Sequence, residues 1–148
     1  MENFSELVYK EAQKAFKKDE VPIGAIIVKD GHVVACAHNL RENNKDATAH
    51  AEVLAIRAAC KKIGDWRLSG ADLYVSVKPC VMCAGSIVQS RIKNVYYYAE
   101  SEKDSCLVDD IFEHNEQGIK VKSYLLNDGC KSGDLVKQYF KMKRGKEV

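Results

Sequence analysis

Phe4, Leu7, Val8, Ala12, Ala15 and Phe16 recur at three- and four-residue intervals. That spacing lays one apolar stripe along a helix and predicts an amphipathic helix at the start of the chain. The pattern then changes. Val21-Pro22-Ile23-Gly24-Ala25-Ile26-Ile27-Val28 is a β-branched run, followed by Lys29-Asp30-Gly31 and a second run, His32-Val33-Val34-Ala35-Cys36-Ala37. Two such runs around an Asp-Gly turn predict a β-hairpin. Thr48 is placed to cap a helix over residues 49–62 that Gly64 ends. Leu73-Tyr74-Val75-Ser76-Val77 predicts a strand that runs into Pro79-Cys80, with a helix over 81–90 behind it. Val95-Tyr96-Tyr97-Tyr98 predicts another strand; a short helix at 107–114, a strand at 119–126 and a helix over 134–144 complete the chain. A hairpin followed by alternating helix and strand implies an α/β fold, a mixed sheet with helices on both faces.

Composition narrows the class. The chain has 148 residues, 46% of them hydrophobic and 30% charged, which suits one globular domain spanning residues 1–148. No linker or internal repeat divides it. Disorder and a collagen-like fibre are excluded, and no stretch approaches the ~18 consecutive apolar residues of a membrane span. Met1-Glu2-Asn3-Phe4-Ser5-Glu6 lacks the basic and apolar regions of a signal peptide. The expectation is a cytoplasmic protein whose six cysteines are thiols or metal ligands and not a disulfide framework.

The net charge of +2 conceals two opposed segments. Residues 137–148 carry Lys137, Lys141, Lys143, Arg144 and Lys146 against Glu147. Residues 100–116 carry Glu100, Glu102, Asp104, Asp109, Asp110, Glu113 and Glu116 against Lys103. A basic tail bearing Tyr139 and Phe140 has the make-up of a single-strand-binding patch, although cations near a helix C-terminus also simply complement its dipole.

The chemistry gathers in two short motifs, His50-Ala51-Glu52 and Pro79-Cys80-Val81-Met82-Cys83. A C-x-x-C at a strand-to-helix junction sets two thiolates at a helix N-terminus, where the partial positive charge lowers their pKa and favours metal binding. With His50 they make three N/S ligands, the number in an open catalytic zinc site. Cys36, Cys60, Cys106 and Cys130 show no pairing that would close it. Glu52, two residues past the histidine, is placed for general acid–base work beside such a site. Three other readings compete. A thioredoxin-like redox pair leaves His50 and Glu52 without a role, a structural zinc site lacks a fourth ligand, and buried cysteines are common in cores.

On these motifs the chain resembles the cytidine/deoxycytidylate deaminase superfamily, and within it the bacterial tRNA-specific adenosine deaminases. The likeness extends over Glu20-Val21-Pro22-Ile23-Gly24-Ala25, Ala37-His38-Asn39, Thr48-Ala49-His50-Ala51-Glu52, Pro79-Cys80-Val81-Met82-Cys83-Ala84-Gly85, Ser90-Arg91-Ile92 and Tyr139-Phe140-Lys141-Met142-Lys143-Arg144. It implies a three-layer α/β/α cytidine-deaminase-like fold around a five-stranded mixed sheet, and a homodimer. It implies zinc on His50, Cys80 and Cys83, Glu52 as proton shuttle, and Asn39 and the Ala51 N–H as contacts to the base. From composition alone Asn39 reads equally well as a hairpin-exit turn residue.

Three features point elsewhere within the superfamily. Lys78 stands where the motif usually has Glu, the stretch after the fourth strand is acidic and has no glycine, and the Asn-His pair usual before the fifth strand is replaced around Gln117-Gly118-Ile119. Tyr98-Ala99-Glu100 and Asp109-Asp110 are similar to the free-guanine deaminases. The expected activity is therefore zinc-dependent deamination of the wobble adenosine in a tRNA anticodon loop. The alternatives are deamination of a free purine base or nucleoside, and a non-catalytic zinc-binding subunit, which would have no use for Glu52.

Overall fold

The computed structural model describes residues 3–146. Met1 and Glu2 of the amino-terminal reading, and Glu147 of the basic tail, lie outside the described residues. The predicted stripe forms α1 (Phe4–Lys17), capped by Asn3, whose side chain accepts from the Glu6 N–H. Strand β1 (Gly24–Lys29) begins later than the β-branched run because Val21 and Ile23 close a tight turn on each other around Pro22. It pairs antiparallel with β2 (His32–His38) through Asp30 and Gly31, both at positive φ as a type I′ hairpin turn requires.

Helix α2 (Ala51–Ile63) follows, ended by Gly64 in the left-handed conformation. Strand β3 (Ala71–Val75) pairs antiparallel with β1. Helix α3 (Val81–Gln89) leads to β4 (Asn94–Tyr97), and α4 (Ser105–Glu113) leads to β5 (Lys122–Leu125). Those last two strands run parallel to their neighbours. The sheet is five-stranded and mixed, in the order β2-β1-β3-β4-β5. Helix α5 (Lys131–Lys146) starts three residues earlier than its hydrophobic pattern indicates, because Asp128 accepts from the Ser132 N–H and hydroxyl and fixes the first turn.

Strand alternation divides the interior in two. Ala25, Ile27, Leu73, Val75, Val95 and Tyr97 face a core shared with α2, α3 and α4, including Ala55, Ile87 and Phe112. Ile26, Val28 and Tyr74 face the other way, onto Val8 and its neighbours in α1. Phe16 of α1 meets Tyr139 of α5 edge to face at 6.3 Å. The result is the three-layer α/β/α arrangement the resemblance implies. Gly24 sets how close α1 comes: a Cβ there would lie 2.6 Å from the Ala12 nitrogen and 2.7 Å from the Glu11 Cβ, so any side chain would push the helix off the sheet.

This topology brings two helix starts together. The chain leaves β2 and re-enters at α2; it leaves β3 and re-enters at α3. Ser76, just past β3, is locked to the start of β1, its N–H on the Gly24 carbonyl and its hydroxyl accepting the Gly24 N–H.

Candidate metal centre and active site

The N-cap of α2 is His50, not the expected Thr48. Thr48 instead donates its N–H and hydroxyl to Asp46 within the turns before the helix. His50 and Cys80 occupy equivalent places: each is an N-cap with extended backbone, and neither spends its side chain on capping. Both side chains turn inward instead. His50 Nδ1 lies 3.6 Å from Cys80 Sγ and 3.6 Å from Cys83 Sγ. All three ligand atoms fall within 4.8 Å of one another, and no other such group of three occurs among the described residues. A sulfur and a nitrogen sharing a tetrahedral zinc at ~2.3 and ~2.0 Å stand about 3.6 Å apart. The donor set and its spacing therefore fit that ion.

The three groups are coupled, with the negative charge on Cys80. Cys80 is held as a thiolate, its pKa lowered to about 4, first by the bond from Cys83 and then, against the cost of burial, by His50. Cys83 is fully buried and keeps its proton, raised chiefly by that same bond, then by burial and Glu52. The thiolate beside it raises His50. Glu52 is buried in the first turn of α2, and burial pushes its carboxyl up to about 7. A carboxyl at that value is half-protonated near neutral pH, which suits a group that must take and give a proton.

Ala51, fully buried, is the first helical residue of α2, so its N–H has no intrahelical acceptor. Asn39 lies in the adjoining loop, where Leu40 donates to the Ala49 carbonyl next to His50. Its side chain donates to the Val21 carbonyl (3.3 Å) and accepts the Arg41 N–H (3.2 Å). Asn39 thus does perform the hairpin-exit turn role. None of the six cysteines is in a disulfide. Cys60 Sγ donates to the Trp66 carbonyl at 3.5 Å, and Cys36, Cys106 and Cys130 are exposed, away from the cluster.

Sequence reasoning missed Glu20. It is fully buried, and its carboxylate accepts from the N–H groups of Glu42 and Asn43 and from the Asn43 amide. It holds the loop between Asn39 and His50 in shape. An acid at the end of an amphipathic helix carries no local sign of that task, because its partners lie more than twenty residues away.

The MafB19-like deaminase family matches residues 2–144. The tRNA-specific adenosine deaminase of Bacillus subtilis is 43% identical over 145 residues, covering 93% of this chain and 87% of that protein. A solved structure from a study of A-to-I editing by tRNA:A34 deaminases at the wobble position of transfer RNA superposes with a TM-score of 0.83 at 40% identity, covering 89% of this chain and 97% of that one. The guanine deaminase of Bacillus subtilis superposes with a TM-score of 0.64 at 32% identity, covering 98% and 95%.

Proposed function

The chain belongs to the family of MafB19-like deaminases, and on that premise we propose that it hydrolyses the wobble adenosine of a tRNA anticodon loop to inosine, with release of ammonia. The observation that carries this reading is the buried Glu52 beside the His50, Cys80 and Cys83 trio, in a chain similar over nearly its whole length to tRNA-specific adenosine deaminases. Zinc held by His50, Cys80 and Cys83 would supply an open position at which water becomes acidic enough to react near pH 7. Glu52 takes one proton from the attacking water and hands it to the ring nitrogen, then takes the second from the hydroxyl added to the carbon and hands it to the departing amine. The Ala51 N–H and Asn39 hold the base edge-on, and the surrounding loop excludes bulk water.

The surface around the site supports an RNA substrate. Lys137, Phe140 and Arg144 of α5 face Ala99 to Lys103 and Val77 across a groove of about 680 Å³. Phe140 is 44% exposed, an open ring of the kind on which an unpaired base stacks, between cations that neutralise phosphate. Tyr139 and Lys143 dock the same helix on Asp19, the latter at 2.7 Å. The acidic segment and the guanine deaminase likeness favour a free purine as the second reading. The better superposition and higher identity of the tRNA:A34 structure weigh against it.

One assay separates them. Purified zinc-loaded protein is offered an adenosine-wobble anticodon stem-loop beside free guanine, adenine, cytosine and their nucleosides. Inosine is expected in the stem-loop; turnover of guanine alone would sink the RNA reading.

We also propose a cytoplasmic homodimer. No helix among the described residues is long and apolar enough to cross a membrane. Trp66, 51% exposed, borders an apolar groove between α2 and α3 lined by Val53, Ile56 and Met82, the two helices that carry the candidate ligands. A second copy covering that groove would bury the tryptophan. Light scattering at micromolar concentration is expected to give twice the chain mass, and a monomer there counts against the dimer.

A further inference from the structure

We infer that Lys78 is a positioning residue: it clamps the acidic segment 100–104 to the loop that leads into Cys80, and in doing so admits a polyanionic substrate. Its side chain is 4% exposed, a place where an ammonium persists only if fully paired. The Lys78 Nζ donates to Ser105 Oγ at 2.7 Å and pairs with Asp109 Oδ1 at 2.7 Å. It also lies 5.7 Å from the centre of the Tyr97 ring. Ser105 and Asp109 are four residues apart and so share one face of α4. The backbone N–H of the same lysine donates to the Ala99 carbonyl at 2.9 Å.

One residue therefore holds both ends of the segment 100–104, Ala99 through its main chain and Ser105 through its side chain. Within that segment, Glu100-Ser101-Glu102-Lys103 supply one wall of the groove opposite Lys137, Phe140 and Arg144. The free charge of the wider stretch 100–116 is also smaller than the sequence implies: Lys78 compensates Asp109, and Lys120 pairs with Glu113 at 3.4 Å. Uncompensated acids within a Debye length, about 8 Å in physiological salt, repel an approaching phosphate chain. The clamp fixes the wall, and its lysine, two residues before the candidate ligand Cys80, offsets the charge of Asp109. The substrate half of this inference rests on the RNA reading; the clamp itself does not.

The test compares wild type with Lys78→Met, Lys78→Arg and Asp109→Asn, all zinc-loaded. Native-state hydrogen exchange of Lys78→Met is expected to show amides 100–106 opening about tenfold faster, with β1 and β3 amides unchanged. KM for the stem-loop is expected to rise about tenfold with kcat held within about twofold, the signature of lost binding in ground and transition state alike. Lys78→Arg restores both. Unchanged exchange at 100–106, or uniform acceleration across the sheet, overturns the clamp; a fall in kcat at constant KM overturns the substrate half. Should Lys78→Met fail to fold, Asp109→Asn decides, because Asp109 is 57% exposed and its loss leaves the buried ammonium without a counter-charge. The same amides must then open faster, or the clamp is wrong. If the stem-loop is not a substrate at all, exchange still judges the clamp, and the missing turnover counts only against the RNA reading.

Discussion

Glu52→Ala is expected to fold, to bind zinc at the wild-type ratio and to lose deamination by at least about 10³-fold in kcat/KM, which is ~4 kcal/mol of transition-state stabilisation. The size follows from the number of tasks resting on one group. The carboxylate must accept a proton, hand it to the ring nitrogen and then protonate the leaving amine, and among the described residues no second carboxylate shares the cluster. Folding survives because burial works against the charged form of Glu52, holding its carboxyl up to about 7 and outweighing the attraction of His50 and the bond with Cys83. Glu52→Gln, which preserves volume, is expected to fail equally, so a lost activity cannot be assigned to a cavity. Metal content by elemental analysis and single-turnover kinetics on the stem-loop check the result. A variant that has lost its metal, or one that still turns over, would show that Glu52 does something else.

The sequence made this prediction possible because its chemistry is local. His50 and Glu52 are two residues apart on one helix turn, Cys80 and Cys83 three apart on another, and each helix was legible from its apolar spacing and the strand before it. What the pattern could not supply were the long-range partners. Thr48 has the right chemistry for a cap, yet Asp46 claims it and α2 begins beyond His50. Glu20 is fully buried against Asn43, a partner twenty-three residues on that its neighbours in sequence do not indicate. The acidic stretch 100–116, its charges counted along the chain, weighs against a nucleic-acid substrate. Counting treats every acid as facing solvent. In the fold, Asp109 meets a lysine thirty-one positions earlier and Glu113 meets Lys120. Neither pairing has a local sign, since an isolated Lys78 between a valine and a proline reads as an ordinary departure from a motif.

Cys83→Ala is expected to abolish stoichiometric zinc binding and activity together, and to make thermal stability insensitive to chelators. The thiol is fully buried at the start of α3, within 3.6 Å of His50 and bonded to Cys80. The substitution deletes one sulfur from a packed site, a small cavity worth ~1 kcal/mol. The metal contributes more. At zinc concentrations of 100 to 1,000 times the dissociation constant, a ligand that binds only the folded chain stabilises it by about 3–4 kcal/mol. For a domain of this size that corresponds to a Tm about 10 °C higher. Wild-type protein should therefore lose about 10 °C on chelation, whereas Cys83→Ala should melt at one temperature with or without chelator. Cys106→Ala, at an exposed position outside the cluster, supplies the control and should behave as wild type. The contrast separates a metal centre from a redox pair. If Cys80 and Cys83 were a thiol–disulfide couple, wild-type stability would follow the redox potential of the buffer and ignore the chelator, and His50→Ala would be silent. With a metal held by all three, His50→Ala and Cys83→Ala should give the same loss of zinc and the same flat response.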